Sequence, residues 1–237
     1  MNAFVLVILQ ARMSSNRLPG KVLKVINEKP MIYWQINRIS QSKLVDKIIV
    51  ATSDQPSDDI LVDYLASIKQ EYIRGSLNNV LDRFVAAEKM YNPSVTIRLT
   101  ADCPLVMPEI IDKCIERFNE EQVDYVSNIL SLTFPDGLDV EVLKSGVLAK
   151  LKRFKLSDAE KEHVTLGLLN RQNIFTTRNI YYPTNLSHFR WTVDTQTDLN
   201  FVREVFKHFS SKEILFTLQD MLDFIGKNPQ LNQIKIR

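Results

Sequence analysis

An α/β fold built on a mostly parallel sheet is predicted by three features of the chain. Apolar, β-rich runs recur at 4–9, 46–51 and 94–99. Amphipathic stretches at 31–41, 56–69 and 77–91 separate them, as expected when helices cover both faces of a parallel sheet. A fourth apolar run, 123–127, follows a helix-like stretch at 108–119 that opens on Pro108, a residue suited to the first helical position.

The elements follow in order. Val5 to Leu9 read as a buried first strand, because the apolar run stops at Gln10 and Arg12. It is too short for a span of about 20 apolar residues and lacks the basic leader of a signal peptide, so no membrane insertion is expected. After 127 the pattern changes: 129–143 read as loop and short strand around the turn Pro135-Asp136-Gly137. Ser157-Asp158-Ala159-Glu160 has capping-box spacing and predicts a helix to about 171. Residues 174–193 predict two strands around Pro183, and Asp194 to Asp198 lead into a helix to about 209. Without repeats or a Gly/Ser linker, residues 1–237 read as one domain carrying an insertion at about 130–190.

Composition narrows the functions. Thirty Lys+Arg against 28 Asp+Glu, with no dense basic run, argues against nucleic acid as a partner but leaves small anions open. Two cysteines without metal-type spacing indicate a reducing, cytoplasmic setting.

The residues that carry chemistry sit at strand ends. Gln10-Ala11-Arg12-Met13-Ser14-Ser15-Asn16-Arg17-Leu18-Pro19-Gly20-Lys21 leaves the first strand with three cations, and loops at the carboxyl ends of strands are where open α/β sheets bind ligands. Neither a P-loop nor a dinucleotide fingerprint is spelled by the six glycines. As a loop cation, Lys21 is expected to cost little stability when removed. Asp102, in Thr100-Ala101-Asp102-Cys103-Pro104, and Asp194, in Arg190-Trp191-Thr192-Val193-Asp194, each end a strand. Either can hold Mg²⁺, which needs only one or two protein carboxylates, or can cap the following helix.

Taken together, Gln10-Ala11-Arg12-Met13 through Lys21, Leu99 to Leu105 and Val193-Asp194-Thr195 through Leu199 resemble the cytidylyltransferase superfamily that includes CMP-KDO and CMP-sialate synthetases. The nearest branch is that named after spore coat polysaccharide biosynthesis protein F. Ala51 to Asp54, Arg74-Gly75-Ser76 with Val80 to Arg83, Pro135 to Val142 and Glu162 to Thr165 resemble that branch's blocks in the same order. Ser14, Ala101 and Gln196 stand where the branch has glycine, glycine and proline.

The resemblance implies a Rossmann-like nucleotidyltransferase fold, a GT-A-like three-layer sandwich, transferring CMP from CTP to a sugar-type acceptor. It implies a nucleotide site of Leu9, Gln10, Ala11, Arg12, Ser14, Ser15, Arg17, Lys21, Arg74, Asn79, Asp82 and Thr100. Mg²⁺ would lie on Asp102 and Asp194, with Arg12 and Lys21 on phosphates, and the protein would be a homodimer. The acceptor side is expected to use Asp136, Asp139, Glu141, Glu162, His163 and Arg190. Asp139 and Glu141 share one strand face. Carboxylates so placed would repel an acidic sugar unless a metal or an arginine intervened. The alternatives are a glycosyltransferase and a nucleotide-binding protein impaired in catalysis.

Overall fold

The computed structural model describes residues 3–210 and 216–231. One seven-stranded sheet organises them. Its strands are β1 (Val5–Gln10), β4 (Lys47–Ser53), β5 (Tyr72–Gly75), β6 (Val95–Thr100), β7 (Tyr125–Ser127), β8 (Glu141–Lys144) and β9 (Thr177–Asn179), in the spatial order β5-β4-β1-β6-β8-β7-β9. β2 (Val25–Ile26) and β3 (Lys29–Pro30) form a small separate hairpin whose turn residues, Asn27 and Glu28, both have positive φ. β1 pairs in parallel with β4 and β6, and β4 with β5; β8 runs antiparallel to β6 and β7. The fold is the Rossmann-like α/β sandwich expected.

The burial of β1 explains its unbroken apolar run. Val5, Val7 and Leu9 enter one core, packed with residues of α1 (Met31–Ile39), α2 (Asp59–Ser67), α4 (Pro108–Glu121), α8 (Gln196–His208) and α9 (Leu218–Lys227). Leu6 and Ile8 point the other way, into a core shared with α3 (Val80–Tyr91), α5 (Val147–Leu151) and α7 (Leu166–Leu169). Both faces are apolar because both are covered.

Two expected elements differ. The helix from Ser157 is capped by its Ser157/Glu160 box but ends as α6 (Asp158–Glu162), and α7 begins only after a break. At that break Val164 has φ 44° and is fully buried in the second core. Its burial wins over continuation of the helix, because a β-branched residue adopts that conformation only under tertiary constraint. Of the two strands expected around Pro183, only β9 pairs in the sheet. The segment beyond it is tied down by Ile180, Tyr182 and Leu186 amides that donate to Ser127 O, Thr133 Oγ1 and Thr133 O, and Pro183 has no N–H for a ladder.

What matters for function is how strand ends converge. Gln10 and Thr100 are register partners, and the Ala101 amide donates to Gln10 O at 2.9 Å, so the loops after β1 and β6 leave side by side. The Val193 amide donates to Asp102 O at 2.8 Å, bringing a third segment to the same edge. Gly137, with φ 105°, lets the Pro135–Gly137 turn pack on it, since an added Cβ would lie 2.6 Å from Thr192 N.

Candidate functional site

At that edge lies a cavity of about 400 Å³. Gln10 at the end of β1, Ala11, Arg12, Ser15, Arg17 and Lys21 after it, Thr100 at the end of β6, Asp102 after it, and Glu162, His163 and Asp194 all line it. Asn16, Val22, Arg98 and Ala101 complete the lining.

Lys21 organises the floor. Only 9% exposed, it sends Nζ to Asp102 Oδ2 at 3.2 Å, Asp194 Oδ1 at 3.0 Å and Val193 O at 2.8 Å. This burial differs from the solvent-facing loop cation whose removal was expected to cost little stability. Lys21 opens a short 3₁₀ turn (Lys21–Leu23) after Gly20, whose left-handed backbone (φ 68°) turns the chain inward at that point. Asp102 and Asp194 thus face one point. Neither caps a helix: the N-cap of α4 is Met107, which supplies no side-chain cap, and α8 is capped by Thr195 with Asp198 as the reciprocal partner.

The remaining Asp194 oxygen is also held. Arg17 and Arg190 each reach Oδ2 at 2.8 Å, and Arg190 continues to Asp198. Arg190, expected toward an acceptor, is therefore bonded to Asp194 and Asp198. Burial works against the charged form of Asp102. The Lys21 charge and hydrogen bonds from Thr100, Lys21 and Cys103 outweigh it and hold the carboxyl below its ordinary value.

Arg12 pairs with Glu162 at 3.2 Å across the cavity mouth, both side chains well exposed, so the pair adds little stability and opens readily. His163 is the C-cap of α6, beside Glu162.

Other expected residues lie outside this cavity's lining. Leu9 is buried in the core and Ser14 is exposed. Arg74 donates to Ser53 O and Gln55 O and pairs with Asp59 at 2.7 Å, at the end of β4. Asn79 caps α3 by accepting from Asp82 N–H, and Asp82 pairs with Lys152. Glu141 is buried and engaged by Arg98 on one oxygen and the Tyr125 hydroxyl on the other. Asp136 forms an isolated bridge with Arg190. At Ser14 and Ala101 φ is not positive, so the backbone does not demand the glycine of the related branch there.

Arg98 is the residue that sequence reading passes over. It stands in the middle of β6 opposite Glu141, with its other terminal nitrogen 3.3 Å from Gln10 Oε1. A cation inside a strand whose alternate residues Val95, Ile97 and Leu99 are apolar, on the face shared with Thr96 and Thr100, is the signal that could have found it.

Asp139 is half-buried. Burial first, then the charges of Asp136, Glu141 and Asp102, push its carboxyl up to about 7 against the pull of Arg98. Its unfolded value is about 4. The folded state therefore binds more protons between these values, and stability falls as pH rises through that window. Asp139→Asn is neutral throughout, so its melting temperature should exceed wild type above pH 7, with the gap closing toward pH 4. Thermal melts at several pH values check this, and a gap independent of pH would mean that Asp139 titrates as an ordinary carboxylate.

Among the described residues no helix is long and apolar enough to cross a membrane. The cytidylyltransferase family model matches residues 6–234. Spore coat polysaccharide biosynthesis protein SpsF of Bacillus subtilis is 32% identical over 95% of this chain and 95% of its own. A cytidylyltransferase structure from Leptospira borgpetersenii superposes with TM-score 0.92 at 29% identity over 99% of both chains. A CMP:2-keto-3-deoxy-manno-octonic acid synthetase solved with CTP superposes with TM-score 0.67 at 18% identity, over 87% of this chain and 99% of the other, a likeness of fold. With a family match spanning almost every residue and strand ends that meet at one charged cavity, the chain belongs to the cytidylyltransferase family.

Proposed function

We propose that the protein transfers CMP from CTP to a hydroxyl of a sugar-type acceptor, with release of pyrophosphate, in the synthesis of a surface polysaccharide or glycoconjugate. One observation carries this reading: two carboxylates and an ammonium meet at the floor of a cavity whose rim bears Arg12 and Arg17. The name of the Bacillus relative and the CTP bound to the synthetase neighbour support the substrate classes.

Asp102 and Asp194 fit a divalent cation. Their oxygens are hard donors of the kind Mg²⁺ prefers, and they already converge on one positive charge. A cation bound there would neutralise charge developing on the transferring phosphate. The acceptor oxygen would form the new bond to the α-phosphorus while the bond to the β-phosphate bridging oxygen breaks, the electron pair leaving on pyrophosphate and the hydroxyl proton being released. Arg12, once parted from Glu162, and Arg17 face the space where those phosphates would lie. Their task is positioning and charge stabilisation, which is most of what such transfers ask of a protein.

The test is incubation of the purified protein with Mg²⁺, each of the four nucleoside triphosphates and a panel of sugar acceptors, following pyrophosphate. Release with CTP that depends on an acceptor is expected, with slower or no release from ATP and GTP. Hydrolysis of a sugar nucleotide without pyrophosphate would instead make the protein a glycosyltransferase. Equal turnover of all four nucleotides would remove the cytidine assignment.

A further inference from the structure

Beneath the loop that follows β1 sits a carboxylate with no part in the chemistry above. Asp58, at the end of a 3₁₀ turn (Pro56–Asp58), is fully buried. Its Oδ1 accepts the Met13 backbone N–H at 2.7 Å. Its Oδ2 accepts the Ser53 N–H and the Thr52 hydroxyl, both at 3.1 Å, and the Ser53 hydroxyl as well. Although it precedes α2, its side chain makes no capping bond to that helix.

One oxygen therefore grips the loop and the other grips the end of β4. The Ala11 amide donates to Ala51 O at 3.1 Å, so Arg12 lies between two residues that are each fastened to β4 and the turn after it. On the far side, Ser53 O accepts Arg74 Nε at 2.9 Å. Asp58 and Ser53 thus join Arg74 to the Arg12 loop through three hydrogen-bonded links: Met13 to Asp58, Asp58 to Ser53 and Ser53 to Arg74. Burying a carboxyl group this deeply is costly unless it is hydrogen-bonded, and here the Met13 and Ser53 amides and the Thr52 and Ser53 hydroxyls all donate to it.

We propose that Asp58 is a positioning residue for nucleotide binding, holding the Arg12 loop and Arg74 in one fixed relation before a triphosphate arrives. The proposal rests on the cytidylyltransfer reading. Preorganisation of this kind raises affinity by removing the ordering cost of binding. Asparagine cannot replace the aspartate, since in either orientation its NH₂ is set against a backbone N–H, that of Met13 or that of Ser53.

The experiment compares Asp58→Asn with Thr52→Val, measuring CTP affinity by calorimetry with Mg²⁺, acceptor KM by pyrophosphate release, and melting temperature. Asp58→Asn should weaken CTP binding about tenfold, the loss of one hydrogen bond to a charged group, with acceptor KM unchanged. Thr52→Val gives up one bond to the same carboxylate but leaves both amides held; it should melt earlier and bind CTP as wild type does. Wild-type CTP affinity in Asp58→Asn would overturn the proposal, as would losses in both variants that track their lost stability. If Asp58→Asn does not fold, hydrogen exchange of the Met13 amide in the nucleotide-free wild type decides: protection like that of β1 supports the proposal, and exchange at exposed-loop rates overturns it. A wild type that binds no CTP would instead defeat the cytidylyltransfer reading, whatever the Met13 amide does.

Discussion

Asp102→Asn and Asp194→Asn are each expected to fold and to lose Mg²⁺-dependent pyrophosphate release by about a thousandfold, the several kcal/mol that a bound cation contributes to phosphoryl-type transfer. Asparagine keeps the shape of each side chain and one acceptor oxygen, and removes the charge that attracts a divalent cation. The surroundings can absorb that change. Asp102 retains Thr100 and Cys103 as neighbours, and the Arg190 partner of Asp194 keeps its pair with Asp198. If the two act as one unit, the double variant turns over hardly slower than either single one, because groups that share a task are not additive. Calorimetry with Mn²⁺ gives a second readout, in which either substitution should weaken binding of the metal alone. Wild-type turnover in Asp194→Asn would leave Asp194 only as an anchor for Lys21, Arg17 and Arg190, and would end the shared-cation mechanism.

How much of this was legible in the sequence follows from the range of each interaction. The first strand, its loop and the two aspartates were readable because each signal is local: an apolar run, then a cluster of charge, then a carboxylate at a strand end. The short strand Tyr72–Gly75 was not, since four residues containing Arg74 and Gly75 carry little β pattern and pair only because β4 lies alongside. Helix α9 is different. Its Thr217/Asp220 capping box has the spacing that marks the helix after Ser157, so the signal was present. Partnerships across the fold were out of reach. Nothing local in Glu141 says that Arg98 and Tyr125 will consume both its oxygens, or that Arg190 will turn back on Asp194 and Asp198. The placement of Lys21 shows the same limit, since a lysine after a loop glycine reads as solvated until Asp102 and Val193 are known to adjoin it.

That placement makes Lys21→Met the variant with the largest expected effect on stability. Methionine fills similar space but leaves Asp102 and Asp194 facing each other with the shared positive charge gone, and breaking a buried ion pair on one side costs about 3–5 kcal/mol in well-buried cases. Here Asp102 is partly accessible and Asp194 keeps Arg17 and Arg190, so about 2 kcal/mol at neutral pH is the expected loss. The pH dependence identifies the cause. Asp102 titrates below its ordinary value in the folded wild type, so it contributes stability above the unfolded pKa of about 4 that disappears as pH falls through the folded value. Without Lys21 most of that depression vanishes, and the gap in stability between wild type and variant should be widest near pH 7 and narrow below pH 4. A divalent cation should narrow it as well, by supplying at neutral pH the charge that the ammonium gave, so melts of Lys21→Met with and without Mg²⁺ separate this account from simple loss of packing. A stability deficit unmoved by either acid or Mg²⁺ would mean that Lys21 matters through its contact with Val193 O and the 3₁₀ turn rather than through the two carboxylates.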